Sequence, residues 1–120
     1  MSKRVLVVDD SISMRSMIKN MFASGDFEVV GEASNGLEAV EKFKELQPDL
    51  TTMNITMPVK NGIEATHEII KLDPTAVIIM CSALGDQSSV MEAFEAGAAD
   101  FIVKPFRAED LFAAIKKVLG

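Results

Sequence analysis

The chain has 120 residues, of which 48% are hydrophobic and 25% are charged, and its formal net charge is −6. This length suits one domain and the hydrophobic content can build a buried core, so we predict a single domain over residues 1–120. Nucleic-acid binding needs clustered Lys and Arg. The acidic balance and the scattered basic residues therefore disfavour a nucleic-acid partner.

No hydrophobic run approaches the roughly 20 residues that span a bilayer. The run near the N-terminus, residues 5–8, is too short for the core of a signal peptide. The single cysteine, Cys81, cannot form an internal disulfide, which fits a reducing compartment. We therefore predict a cytoplasmic protein, and we interpret Cys81 as a small buried hydrophobic residue rather than a reactive thiol.

Short hydrophobic runs alternate with longer amphipathic stretches, which predicts strands followed by helices and hence a parallel sheet. The predicted strands cover residues 4–8, 28–33, 50–54, 76–82 and 101–103. The first and last predicted helices cover residues 13–24 and 108–119. The second runs from an N-cap at Asn35 to a break at Pro48, and the third follows Gly62. The fourth lies between a polar loop at 85–88 and about residue 96.

The first, third and fourth strands are almost entirely hydrophobic or β-branched, as expected when helices cover both faces of a sheet. The predicted fold is therefore an α/β doubly wound sheet of five parallel strands. Two strand orders are common in such sheets, and the residues alone do not choose between them. Hydrophobic positions at helical spacing are interpreted as core, including Met14, Met17, Ile18 and Met21, then Leu37, Val40, Phe43 and Leu46, then Ile63, Ile69, Ile70 and Leu72.

Polar residues stand where four of the predicted strands end: Asp9 and Asp10, Asn54, Ser82, and Lys104. Because ligands of parallel sheets bind beyond the carboxyl ends of the strands, we expect these residues to form one site. Mg²⁺ relieves the repulsion between adjacent aspartates. A lysine and a hydroxyl can hold phosphoryl oxygens. Each residue alone has a simpler explanation, as a helix cap or a surface charge, but together they predict a phosphoryl-binding site.

Four segments carry a family resemblance: Val-Leu-Val-Val-Asp-Asp-Ser, Met-Asn-Ile-Thr-Met-Pro-Val-Lys-Asn-Gly, Cys-Ser-Ala and Phe-Ile-Val-Lys-Pro-Phe. In order and spacing they resemble the receiver domains of bacterial response regulators along the whole chain, and most of all the chemotaxis CheY proteins of the Bacillus and Thermotoga kind. The resemblance implies the flavodoxin-like (βα)5 fold with strand order 2-1-3-4-5. It also implies a signalling switch that is not an enzyme.

The resemblance assigns roles to individual residues. Asp9, Asp10, the residue at position 54 and the backbone carbonyl of Thr56 match the Mg²⁺ site, with Asp10 as the direct ligand. Asn54 stands at the position of the aspartate that accepts a phosphoryl group from a kinase histidine. Ser82 matches the switch hydroxyl, Lys104 the lysine that pairs with the phosphate, and Phe101 the aromatic residue whose rotamer changes on activation.

The resemblance also implies partners and a surface that binds them. The phosphate donor would be a sensor histidine kinase of chemotaxis and the target the flagellar motor switch protein, with a chemotaxis phosphatase as a third partner. The domain would act as a monomer, without nucleic acid or membrane. The output face would comprise residues 88–96, Phe101 and residues 108–117, and the Lys104-Pro105 bond would be cis. Met91 and Phe94 lie on this face; we interpret them as core, with partner docking as the alternative.

Asn54 departs from the family pattern. A neutral amide is a poor nucleophile and brings no charge to a metal, so we expect no phosphorylation at this position and weaker Mg²⁺ binding. Losing one of three clustered acids should also stabilise the metal-free form. Two explanations remain open: an engineered variant that cannot be phosphorylated, or a natural pseudo-receiver that signals through binding alone.

The sequence disfavours two other families with a similar sheet, and its single histidine has a simple interpretation. Phosphatases of the haloacid dehalogenase type need Asp-x-Asp after the first strand, but Ser11 stands where the second acid belongs. A flavodoxin would need a phosphate loop rich in Ser, Thr and Gly, and an acidic pair at that point would repel the flavin phosphate. His67 has no neighbouring Cys or second His, so we interpret it as a solvated helix residue.

Overall fold

The computed structural model describes residues 2–23, 25–83 and 87–119. The strands are β1 (Lys3–Val8), β2 (Phe27–Ala33), β3 (Leu50–Asn54), β4 (Ile78–Ala83) and β5 (Asp100–Lys104). The helices are α1 (Ile12–Phe22), α2 (Gly36–Leu46), α3 (Gly62–Leu72), α4 (Gln87–Ala96) and α5 (Ala108–Leu119). All ten predicted elements are present, and they alternate along the chain as the hydrophobic pattern predicted.

The strands form one parallel sheet in the order β2-β1-β3-β4-β5, which confirms the fold class and the strand order. Both faces of the sheet are covered. Residues of α2, α3 and α4 build the hydrophobic core on one face, and residues of α1 and α5 build it on the other. This double cover explains why β1, β3 and β4 consist mainly of hydrophobic or β-branched residues.

The element ends differ from the predicted ones in a few places. Strand β5 is longer than predicted because it pairs with β4 from Asp100 to Lys104. Strand β4 begins at Ile78 instead of residue 76. The predicted loop at 85–88 is wrong for Gln87 and Ser88, which already belong to α4. Residues 85 and 86 of that loop, and residue 24 at the predicted end of the first helix, lie outside the described residues.

Side-chain caps fix where the helices begin. As predicted, Asn35 caps α2, and its side chain accepts a hydrogen bond from the Glu38 N–H at 2.9 Å. Asn61 caps α3 and forms a reciprocal capping box with Glu64. Such caps satisfy backbone N–H groups that a helix end leaves without partners. They place the starts of α2 and α3 firmly beside the carboxyl edge of the sheet.

The prediction that hydrophobic helix residues are core is wrong for several of them. Met17, Leu37 and Leu72 are about half exposed. On α4 the buried residue is Ala93, whereas Met91 is 67% exposed and Phe94 is 44% exposed. Residues two apart on a helix point to nearly opposite sides, so burying Ala93 turns Met91 towards solvent. The alternative interpretation, in which these two side chains are available for docking, is the one that the exposure favours.

Two single-residue predictions agree with the structure. Cys81 is buried, and burial raises the pKa of its thiol to about 12, so the thiol is protonated and inert at neutral pH. His67 is exposed on α3.

No helix among the described residues is long and hydrophobic enough to span a membrane.

Val59 adopts a backbone conformation that suits glycine. It lies exposed in the loop between β3 and α3 with φ at 70°, where a β-branched side chain is strained. We expect Val59→Gly to raise the free energy of unfolding by about 1 kcal/mol in urea titrations, because the strain is relieved. Val59→Ala is the control, since it removes the same exposed side chain but keeps most of the strain. A gain no larger than that of the alanine variant would contradict the prediction.

Candidate functional site

The carboxyl ends of β1, β3 and β5 bring together the predicted charged and amide residues. Lys104 at the end of β5 reaches across β4 to the two strands beyond it. Its Nζ donates to Asp9 Oδ2 at 2.8 Å and to Asn54 Oδ1 at 2.9 Å. Three separate stretches of the chain are thus joined by one ammonium group. We call the cluster of Asp9, Asp10, Asn54 and Lys104 the polar rim.

Asp9 is the buried anchor of the polar rim, with 1% of its surface exposed. One carboxylate oxygen binds Lys104 and the other accepts the Ser11 N–H at 2.9 Å. Its backbone N–H donates to the Ala33 carbonyl at 3.1 Å, and its own carbonyl accepts from Arg15 Nη1 at 2.7 Å. A buried carboxylate with this set of partners is held in one place and keeps its charge compensated.

Asn54 closes the polar rim through both ends of its amide. The Nδ2 group donates to Asp10 Oδ1 at 3.1 Å and to the Thr56 carbonyl at 2.9 Å, while Oδ1 accepts from Lys104. A carboxylate at this position could accept from Lys104 but could donate to neither oxygen. The amide therefore makes two hydrogen bonds that the family's aspartate cannot make.

The Asp10 carboxylate and the Thr56 carbonyl fit a hard cation such as Mg²⁺. Both are oxygen atoms, the ligand type that Mg²⁺ takes, and both accept from the same Asn54 nitrogen, at 3.1 and 2.9 Å. The side chain of Asn54 does not fit, because an NH₂ group that donates to both oxygens stands between them. Among the described residues, no cluster of three or more His, Cys, Asp or Glu could hold a metal ion. In this chain the amide nitrogen of Asn54 thus binds the two oxygens that would face a cation.

Ser82 lies near the end of β4, and Phe101 lies on β5 three residues before Lys104. Ser82 is buried, and its hydroxyl donates to the neighbouring Ala83 carbonyl at 3.3 Å. Phe101 is partly buried and meets Phe94 of α4 edge-on, with ring centroids 6.0 Å apart. The Lys104-Pro105 peptide bond is cis, as expected. The roles of the two side chains as switch residues remain predictions.

The loop after Asn54 is packed tightly against the strand end. The Gly62 N–H donates to the Ile55 carbonyl at 2.7 Å, and a Cβ built on Gly62 would lie 2.0 Å from the Asn54 carbonyl oxygen. No side chain larger than hydrogen fits there without a shift of the backbone. Gly62 therefore lets α3 begin directly against the residue at the centre of the polar rim.

Comparison with known proteins identifies the fold and the segments that build this site. A family model described as response regulator receiver domain matches residues 5–116. The chain belongs to the response regulator receiver family. This match confirms the family predicted from the four segments, and the acidic pair, Asn54 and Lys104 all lie within the matched residues.

The most similar relatives place this receiver domain among chemotaxis proteins. It is 58% identical to the chemotaxis protein CheY of Thermotoga maritima, over 98% of each chain, and 56% identical to that of Bacillus subtilis over the full length of both. Its structure matches CheY in the CheX-CheY-BeF₃-Mg²⁺ complex from Borrelia burgdorferi with a TM-score of 0.94 at 35% identity, covering 98% of this chain and 90% of that one. The chain is a CheY-like receiver domain.

One residue of the receiver domain that touches the polar rim, Arg15, was not predicted from the sequence. Arg15 projects from α1 to the Asp9 carbonyl and also donates to Glu32 of β2 through Nε at 3.0 Å. An arginine in the first turns of an amphipathic helix has the pattern of an ordinary solvated residue, and Glu32 lies 17 residues further along the chain. Neither position carried a signal of the contact.

Proposed function

We propose that this chain is a single-domain response regulator of chemotaxis that is locked in its unphosphorylated state by Asn54. In this proposal a sensor histidine kinase would deliver phosphate to an aspartate at position 54, with Mg²⁺ held by the acidic pair and the Thr56 carbonyl. The output face, with the exposed Met91 and Phe94, would bind the flagellar motor switch protein. The protein would be cytoplasmic, monomeric and not an enzyme.

The observation that carries the proposal is the convergence of Lys104 and Asp10 on the side chain at position 54, with Asp9 bound to the same Lys104 ammonium group. An ammonium group 2.9 Å from Oδ1 is placed to stabilise negative charge that develops on that side chain. The neighbouring acids supply cation ligands on its other side. These groups suit phosphoryl transfer to position 54, and the amide is the only member of the polar rim that does not.

Asn54 removes the nucleophile and also fills the cation position. An amide oxygen attacks phosphorus far less readily than a carboxylate does. In addition, the NH₂ group satisfies Asp10 Oδ1 and the Thr56 carbonyl, so an entering ion would have to break two hydrogen bonds. Both effects keep the domain in its resting state whatever the kinase does.

Acetyl phosphate labelling tests this proposal. We would incubate this chain, Asn54→Asp and Asn61→Asp with acetyl phosphate and Mg²⁺, and measure intact masses. Asn61→Asp is the matched control, because it makes the same chemical change at a helix cap whose side chain accepts from the Glu64 N–H and belongs to no contact of the polar rim. We expect only Asn54→Asp to gain the mass of one phosphoryl group. Labelling of this chain itself, or no labelling of a folded Asn54→Asp variant, would refute the proposal.

A phosphorylation-independent pseudo-receiver is the second candidate function. The hydrogen-bonded closure of the polar rim favours it, because the amide already connects Asp10, Thr56 and Lys104 without metal or phosphate. Such a protein would bind its target in the absence of kinase, acetyl phosphate and Mg²⁺. Target binding that is equally tight with EDTA would support this candidate, whereas binding by Asn54→Asp only after phosphorylation would support the first.

A further inference from the structure

Arg15 connects three elements at the edge of the polar rim. From α1 its Nη1 donates to the Asp9 carbonyl at 2.7 Å, just beyond the end of β1, and its Nε donates to Glu32 Oε1 on β2. The guanidinium is mostly buried, with 15% of the side chain exposed. A planar guanidinium carries several N–H donors in a fixed fork, so Nη1 and Nε can each bind an acceptor on a different element.

Glu32 is itself held in place. Its second oxygen accepts from Lys19 Nζ at 2.7 Å, and this hydrogen bond, together with the one from Arg15, lowers the pKa of the Glu32 carboxyl. The carboxylate is therefore ionised at neutral pH and fixes the plane of the Arg15 guanidinium. Arg15 thus links Glu32 to the backbone of the acidic pair, whereas Lys19, with 38% of its side chain exposed, donates to Glu32 without contacting that backbone.

The peptide unit that Arg15 contacts joins Asp9 to Asp10. Its orientation sets the direction in which the Asp10 side chain leaves the backbone. Asp10 is exposed, and its carboxylate accepts a hydrogen bond from Asn54 Nδ2. Asp9 needs no further support, since Ser11 and Lys104 already hold its carboxylate. Arg15 therefore affects the direction of the Asp10 side chain rather than that of Asp9.

We propose that Arg15 is a positioning residue, which holds the Asp9–Asp10 peptide and so aims the Asp10 carboxylate at residue 54. The metal part of this inference rests on the proposed function, because Asp10 is there the direct Mg²⁺ ligand. The geometric part does not, since it concerns the contact between Asp10 and Asn54 in this chain as it stands. The two parts can be measured separately.

The geometric part is tested by ¹H–¹⁵N spectra of this chain, Arg15→Gln and Lys19→Gln. Lys19→Gln is the matched control, because it disturbs the same glutamate without touching the Asp9 carbonyl. We expect Arg15→Gln to shift the backbone amide of Asp10 and the side-chain amide of Asn54, and Lys19→Gln to shift neither by a comparable amount. If Arg15→Gln does not fold, Arg15→Lys replaces it and should shift the same signals.

The metal part is tested in the Asn54→Asp protein by calorimetric titration with Mg²⁺. Adding Arg15→Gln should weaken Mg²⁺ binding about tenfold, as losing a residue that orients a metal ligand does, while adding Lys19→Gln should change it little. The inference is overturned if Arg15→Gln leaves the Asp10 amide signal unmoved. It is also overturned if Asn54→Asp binds Mg²⁺ and adding Arg15→Gln does not change the affinity. If Asn54→Asp binds no Mg²⁺, the proposed function fails instead, and the spectra alone decide the role of Arg15.

Discussion

Replacing Asn54 with Asp should lower the free energy of unfolding of the metal-free protein by about 2 kcal/mol. The change removes the hydrogen bonds to Asp10 and the Thr56 carbonyl and puts a third carboxylate beside two others. Among the described residues, Lys104 is the one cation bonded to the side chains of this cluster, because Arg15 contacts only the Asp9 backbone carbonyl. Urea unfolding in EDTA, followed by circular dichroism because the chain has no Trp or Tyr, measures the loss.

Mg²⁺ should reverse that loss in the variant but leave this chain unaffected. An ion that binds only the folded state stabilises it in proportion to the logarithm of its concentration, so the unfolding midpoint of Asn54→Asp should rise on titration. Asn61→Asp serves as the control, because it keeps a good N-cap residue and lies outside the polar rim. If Asn54→Asp is as stable as this chain in EDTA, the amide does not hold the polar rim together.

Replacing Lys104 with Met should cost about 3 kcal/mol, because it leaves the buried Asp9 carboxylate without its counter-charge. Asp9 is 1% exposed and Lys104 is 23% exposed, so solvent can replace little of the lost interaction. The variant also removes the ammonium group that donates a hydrogen bond to Asn54 Oδ1. Denaturant unfolding at neutral pH checks this prediction.

Lys117→Met is the matched control for that experiment. Lys117 pairs with Asp100 at 3.4 Å, but 75% of its side chain is exposed. Asp100 is 15% exposed, but its oxygen is 3.4 Å from an ammonium group that stays largely in water, so we expect a change of at most about 0.5 kcal/mol. Equal losses in the two variants would mean that the Lys104 to Asp9 contact behaves like a surface ion pair and does not anchor the polar rim.

The strands and most helix positions were predictable because their signals are local. Runs such as Val5 to Val8 are hydrophobic on both faces, which is what a strand covered by helices on both sides requires. The N-cap at Asn35 and the stop before Pro48 are fixed by side-chain and backbone chemistry within a few residues. The strand order came from the resemblance to a family, since hydrophobic pattern alone does not determine it.

The exposure of α4 was not predictable from the same pattern. Met91 and Phe94 have helical spacing and hydrophobic side chains, yet α4 buries Ala93 instead. Which side of a short helix faces the sheet is decided by packing against neighbouring elements. Here α4 packs beside α3, and Gly97, with φ at 114°, lies against Ile70. None of these tertiary contacts can be inferred from the sequence of α4 itself.

The membership of the polar rim was predictable, but the way in which it is closed was not. Polar residues at strand ends converge in any parallel sheet, so Asp9, Asn54 and Lys104 could be named from their positions. The direction of the Asn54 amide depends on Lys104, 50 residues away in the chain, which takes its oxygen. The support from Arg15 likewise depends on where α1 passes the end of β1.

The most direct test of this account is the side-chain amide of Asn54 in ¹⁵N-labelled protein during titration with millimolar Mg²⁺. If the NH₂ group is bonded to Asp10 and the Thr56 carbonyl, its two proton signals should be well separated, exchange slowly with water and stay unchanged as Mg²⁺ is added. The exposed Asn20 provides the comparison within the same molecule. Exchange as fast as that of Asn20, or signals that move with Mg²⁺, would show that the amide does not occupy the place of the cation.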